Sequence, residues 1–140
     1  WDSLGEFLAL AVSLEELGLK ENNERAKLLA KTLDQATGQL LNNDKSPSRR
    51  TGELDNRGSH FYLALYWAEA LAAQDEDAEL KAKFAQFAKL LAYNDDKSMA
   101  APSQAQGKPA DIGGYYAADP AKISAVMRPS ATFNTALEAF

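Results

Sequence analysis

Thr51-Gly52-Glu53-Leu54-Asp55-Asn56-Arg57-Gly58-Ser59-His60-Phe61-Tyr62-Leu63-Ala64-Leu65-Tyr66-Trp67-Ala68-Glu69 joins a polar, glycine-bearing segment to a helix that leaves almost no face for solvent. Over 59–73, Leu63, Tyr66, Trp67, Ala70 and Leu71 fall on one side, and Phe61, Ala64, Leu65 and Ala68 on the other. A helix apolar all round belongs inside a core, so this one is expected at its centre. The segment before it carries Lys45, Arg49, Arg50 and Arg57. Unpaired N–H groups at a helix start already favour an anion, and these cations add full charge to that field.

Working outward, Ser3-Leu4-Gly5-Glu6 has the spacing of a capping box, and Gly18 suits the left-handed residue that closes a helix. The helix between them carries Leu4, Phe7, Leu8, Ala11 and Val12 in one stripe and Leu10, Leu14 and Leu17 in another, a pattern that predicts a central position or, in a piece of a longer chain, an apolar surface partly without its cover. Asn22 or Asn23 caps a second helix to about Leu41, one-faced through Leu29, Leu33, Ala36 and Leu40. Residues 42–57 lose periodicity and read as a long loop punctuated by Pro47 and Gly52. Asp75, Glu76 and Asp77 place negative charge at the start of a fourth helix, with Leu80, Phe84, Phe87 and Leu91 as its buried stripe and Asn94 as its end.

A fifth helix over 95–106 is expected to be kinked or shortened by Pro102, which lacks an N–H. Residues 107–116 have loop chemistry, Asp119-Pro120 opens a short helix, and Ser130 caps a last one to Glu138. No alternation of period two or internal repeat emerges. The expectation is an all-α, bundle-like fold of five to seven helices with a long basic loop, forming one domain over residues 1–140.

Composition narrows the function. A hydrophobic content of 46% suffices for a core, and a net charge of −5 argues against a nucleic-acid or anionic-membrane surface. Cysteine is absent, which excludes disulfides and thiolate metal sites. No apolar run approaches the ~20 residues that cross a bilayer. The chain opens at Trp1 without methionine and reads as a piece of something longer.

On residue chemistry alone, Arg49 and Arg50 beside Ser46, Ser48 and Thr51 offer guanidinium forks and hydroxyls suited to a phosphate, although such a loop is more often simply solvated. His60 reads as hydrogen-bonded structure and Asp2 as a charge at a helix start. Tyr115 and Tyr116 are expected to anchor their loop on the core with hydroxyls outward. The acid clusters 75–77 and 95–96 are explained by capping, and no catalytic or metal-ligating set is recognisable.

Gly52-Glu-Leu-Asp-Asn-Arg-Gly-Ser-His-Phe-Tyr-Leu-Ala-Leu-Tyr-Trp, with Trp1-Asp-Ser-Leu-Gly-Glu, Leu33-Asp-Gln-Ala-Thr-Gly and Arg128-Pro-Ser-Ala-Thr-Phe-Asn, closely resembles the C-terminal part of the monomeric NADP-dependent isocitrate dehydrogenases. The resemblance implies a C-terminal portion of the smaller domain of an α/β enzyme of the isocitrate/isopropylmalate dehydrogenase type, cytoplasmic, acting on isocitrate and NADP. It implies that Arg49 holds the cofactor's 2′-phosphate and that Trp1 and Asp2 belong to a segment contacting its adenosine end. The Mg²⁺ or Mn²⁺ ion and the catalytic residues would lie elsewhere in the same polypeptide, with no nucleic acid or membrane involved. The rival readings are a free-standing helical interaction module and a generic nucleotide-binding module.

Overall fold

A computed structural model describes residues 4–140 and contains, among them, seven helices and no strand. The first four form an antiparallel series: α1 (Leu4–Lys20), α2 (Glu24–Asn42), α3 (Asn56–Ala73) and α4 (Ala78–Tyr93). Three shorter helices follow, α5 (Asp95–Gln104), α6 (Pro120–Met127) and α7 (Ala131–Glu138). Packing runs in sequence order, α1 on α2, α2 on α3 and α3 on α4, while α5 touches α3 and α7 closes over α4 and α5.

Local chemistry sets most boundaries. Asn23, Asp77, Asp119 and Ser130 each accept a backbone N–H of the first turn they precede, removing donors that the helix itself cannot satisfy. Pro120 occupies the first turn of α6, where a missing N–H costs nothing. Pro102 sits near the end of α5, which stops two residues later.

Two boundary expectations are corrected. The helix predicted to open at Ser59 begins at Asn56, because Asp55 is its cap and accepts from the Arg57 and Gly58 amides. Gly18 does not end α1; the helix continues to Lys20, and the left-handed residue is Asn22 at φ 49°. The Asn23 N–H then returns to the Gly18 carbonyl at 2.9 Å, and α2 ends the same way through Asp44 at φ 54° and Lys45 N–H to Leu40 O. Gly18 is needed for space, since a Cβ there would stand 2.9 Å from the Lys27 backbone nitrogen, where α1 and α2 cross closely. The capping box expected at Ser3 lies outside the described residues.

The core has two connected halves around α3, as expected. Phe61, Leu65 and Ala68 pack with Phe87, Ala88 and Leu91 of α4 and Ala136 of α7. On the other side Leu63 meets Leu33, Ala36 and Leu40 of α2 and Phe7 and Ala11 of α1. Trp67 is only half-buried; its indole N–H donates to Thr32 Oγ1 at 3.0 Å. Nor is α2 one-faced, for it lies between α1 and α3 and buries Thr32 and Thr37 as well as its apolar residues. Both hydroxyls donate to carbonyls one turn back, Leu28 O and Leu33 O, which removes the cost of burying them.

Contrary to the expected central position, α1 is an edge helix. It contacts α2 through Phe7, Ala11 and Gly18, while Leu8, Leu10 and Leu17 are exposed and Val12 and Leu19 are 63% and 67% accessible. The doubly apolar pattern therefore has one satisfied face here.

Phe61 is 2% exposed and packs edge-on to Phe133 with ring centroids 5.1 Å apart. Phe61→Ala is expected to destabilise the chain by ~3–5 kcal/mol in denaturant unfolding, while Val12→Ala changes stability by less than ~1 kcal/mol.

Candidate functional site

Residues 43–55 connect α2 to α3 as a loop closed by its own hydrogen bonds. The Ser48 N–H donates to Leu54 O at 2.7 Å and the Glu53 N–H to Arg50 O at 3.2 Å. Ser48 Oγ takes the Arg50 N–H at 3.1 Å and donates to the Glu53 carboxylate. Both neighbours of Arg49 are thus tied down. Arg49 itself is exposed, with no ion pair to a described residue.

The other cations of this segment are committed. Arg50 faces Glu53 at 3.7 Å. Lys45 Nζ stands 4.2 Å above the Tyr62 ring, a cation–π contact. Arg57, expected to add charge before the helix, lies in the first turn of α3 and is largely buried: Nε donates to Asp55 Oδ2 at 3.0 Å, Nη1 to Val126 O at 2.9 Å, and Nη2 to Asp55 and to Pro102 O at 3.1 Å. Its donors stitch α3 to α5 and α6. Arg49 and Arg50 are both exposed; Arg50 lies 3.7 Å from Glu53 with its side chain 84% accessible, and Arg49 has no ion pair to a described residue.

A residue that the sequence reading passed over holds this loop from outside. Gln106, just beyond α5, accepts the Gly52 N–H at 2.7 Å and donates to Glu53 O at 2.9 Å and Asp55 Oδ2 at 3.2 Å. Asp55 is the shared acceptor of this region. Its burial disfavours the charge, but hydrogen bonds from Arg57 and the Gly58 amide, the Arg57 charge and Gln106 outweigh that, and the carboxyl sits below its ordinary 3.8.

Trp1 and Asp2 lie outside the described residues. His60 is exposed, its Nδ1 bonded to Asn56 O at 2.7 Å and its ring edge-on to Phe7 at 5.1 Å. The anchoring expected of Tyr115 and Tyr116 does not occur: they are 98% and 104% exposed, standing out from a loop closed instead by Asp119 N–H to Ile112 O and Lys122 to Asp111. The acid run 75–77 does more than cap. Asp77 caps α4 and receives Arg25, Glu76 receives Lys31 and Asp75 receives Lys81, so two of these pairs tie the α4 entry to α2. Tyr62 donates to Asp95 Oδ1 at 2.9 Å, and burial followed by that carboxylate pushes its ionisation well upward.

Among the described residues no three His, Asp or Glu side chains converge on a point that would hold a metal ion, and no helix is long and apolar enough to cross a membrane. A cavity of about 260 Å³ opens between α3, α5 and α7, lined by Arg57, His60, Ser98, Met127, Phe133 and Asn134. It contains no residue of the 43–55 loop.

The family described as monomeric isocitrate dehydrogenase matches residues 1–138. The chain is 63% identical over 139 residues to NADP isocitrate dehydrogenase 2 of Mycobacterium tuberculosis, covering 99% of this chain and 19% of that protein. To the NADP isocitrate dehydrogenase of Azotobacter vinelandii it is 62% identical over 137 residues, 98% of this chain and 18% of the relative. To isocitrate dehydrogenase 2 of Colwellia maris, also an NADP enzyme by name, it is 58% identical, with 99% and 19% covered. The chain therefore spans about a fifth of the length of the curated relatives that it matches.

Since the folded Asp55 carboxyl titrates below its unfolded value, its contribution is complete above about pH 4 and is lost as pH falls through the lower folded value. Asp55→Asn is expected to cost ~1–3 kcal/mol at pH 7. Denaturant midpoints of parent and mutant should converge as the pH is lowered from 5 toward about 2.

Proposed function

The chain belongs to the monomeric isocitrate dehydrogenase family, and on that premise we propose that it is the C-terminal part of an NADP-dependent enzyme that oxidises isocitrate and decarboxylates the product to 2-oxoglutarate. Its part in the reaction is to bind. Arg49 would hold the 2′-phosphate of the cofactor, with Trp1 and Asp2 near the adenosine end. The observation that carries this is the distribution of charge in the 43–55 loop: Arg50 and Arg57 face carboxylates, Lys45 faces a ring, and Arg49 is presented to solvent from a backbone tied on both sides.

A phosphate monoester fits such a group. Its anionic oxygens accept charge-assisted hydrogen bonds from a guanidinium, which the ribose hydroxyl of NAD⁺ does not match. When bound, NADP⁺ would supply the acceptor for the hydride removed from isocitrate. The residues of this chain fix the opposite end of the molecule and so set which cofactor is used. The divalent cation that assists decarboxylation does not fit the described residues, where no carboxylate set converges. Mg²⁺ or Mn²⁺ and the proton-transfer groups are assigned to the rest of the polypeptide. The same polypeptide is the natural partner of the exposed apolar flanks of α1, and the setting proposed is the cytoplasm.

The 140-residue chain alone is expected to form no NADPH from isocitrate at any metal concentration. In the full-length enzyme Arg49→Ala should lower kcat/KM for NADP⁺ by roughly tenfold to a hundredfold, toward the low end if the loop stays wet, and leave NAD⁺ use nearly unchanged. Equal losses with both cofactors would make Arg49 structural, and no loss would move the phosphate site, with Arg50 next in line.

A further inference from the structure

We infer that Gln106 is a positioning residue for the cofactor-selecting loop, acting through the backbone that carries Arg49; this rests on the reading of Arg49 given above. The observation is a three-bond clamp between segments more than fifty positions apart in sequence. The Gln106 carboxamide uses both ends, its oxygen on the Gly52 N–H at 2.7 Å and its nitrogen on Glu53 O at 2.9 Å and Asp55 Oδ2 at 3.2 Å. Gly52 at φ 90° and Glu53 are the turn of the loop, and Glu53 is the residue that ties back to Ser48 and Arg50 on either side of Arg49. The clamp also reaches the cap of α3, so the loop is referenced at once to α3 and to the end of α5.

A second contact acts in the same place. Thr51 lies against Gly107, where an added Cβ would stand 2.9 Å from the Thr51 Cγ2, at φ 70°. The neighbour of Gln106 thus has no room for a side chain on the loop side. An arginine on an unclamped loop of this length would sample many positions, and fixing it on a phosphate would cost the ordering of both side chain and backbone. With the turn held beforehand, that cost is met in folding. Its bonds go to the loop and to Asp55, so the effect of Gln106 is expected on NADP⁺ affinity and not on the chemical step.

The test uses the full-length enzyme with Gln106→Leu, which keeps the bulk and removes all three bonds, and Gly107→Ala, which displaces Thr51 by a different route. Both should raise KM for NADP⁺ by about three- to tenfold, with kcat at saturating NADP⁺ and kcat/KM for NAD⁺ within about twofold of the parent. In an Arg49→Ala background Gln106→Leu should have no further effect on NADP⁺, since the residue it positions is gone. Equal losses with both cofactors, or losses that add to those of Arg49→Ala, would overturn the inference and make the clamp a stability element. Arg49→Ala measured alone separates the premises: a selective NADP⁺ loss there with an unaffected Gln106→Leu refutes Gln106 only, whereas an unchanged preference refutes the Arg49 reading and this inference with it.

Discussion

The Asp55 carboxylate is the interaction on which the functional end of the molecule depends. One oxygen accepts the Arg57 and Gly58 amides and so starts α3; the other accepts the Arg57 guanidinium and the Gln106 amide. Through Arg57 the same group reaches the carbonyls of Pro102 and Val126. A largely buried charge pair contributes little against an apolar replacement, but removing one member leaves the other uncompensated. What the pair supplies is geometry. The 43–55 loop, α3, α5 and α6 are set relative to one another by directional bonds, beside the apolar contact of Leu54 and Met99 against Gly58. The hydrophobic core explains why α2, α3 and α4 pack; it does not explain where α6 sits, since α6 has no buried residue.

That division also explains what was legible in the sequence. Elements with a local cause were readable: Asp119-Pro120 and Ser130 cap where expected, and the choices left open, Asn22 or Asn23 and the run 75–77, resolve to Asn23 and Asp77. The start of α3 lies three residues before the expected one because Asp55 caps it, accepting the Arg57 and Gly58 amides, with its carboxylate held also by the Arg57 guanidinium and by Gln106 from beyond α5. Gly18 misled for a related reason, since glycine at a helix end serves either a left-handed turn or a close approach, and here Asn22 takes the turn. The position of α1 could not follow from its own pattern. Two apolar stripes state how much of a helix avoids water, not which surface covers it.

The candidate site divides in the same way. Arg49 was reachable because an arginine in a Ser- and Gly-punctuated loop is chemically suited to phosphate and because the surrounding residues resemble a family. The resemblance singled it out; in the structure it differs from Arg57, which is paired with Asp55, and from the exposed Arg50, which lies 3.7 Å from Glu53. Gln106 carried no sequence signal at all. A glutamine past the end of a short helix is common, and its partners lie 51 to 54 positions away. Tyr115 and Tyr116 err in the opposite direction: aromatic type argued for anchoring, yet Asp119 and Lys122 hold their loop and the rings are left outside.

A chain of net charge −5 presents a phosphate with an unfavourable average field, so selectivity has to be made locally. Adding arginines to a loop does not by itself do this, because each guanidinium that finds a carboxylate has its charge answered before a ligand arrives. The 43–55 region sorts its cations by use. Arg57 is spent inward on carbonyls and Asp55, Arg50 is balanced by Glu53, and Lys45 lies on Tyr62. The carboxylates that neutralise those neighbours also fix the backbone between them, through Glu53 to Ser48 and Asp55 to Gln106. Pairing and positioning are therefore one set of bonds, and the guanidinium left over is the one that a rigid loop can aim. On the proposed reading, loosening the acidic partners would free more positive charge and still bind a phosphate less selectively, because the added charge would not be in a fixed place.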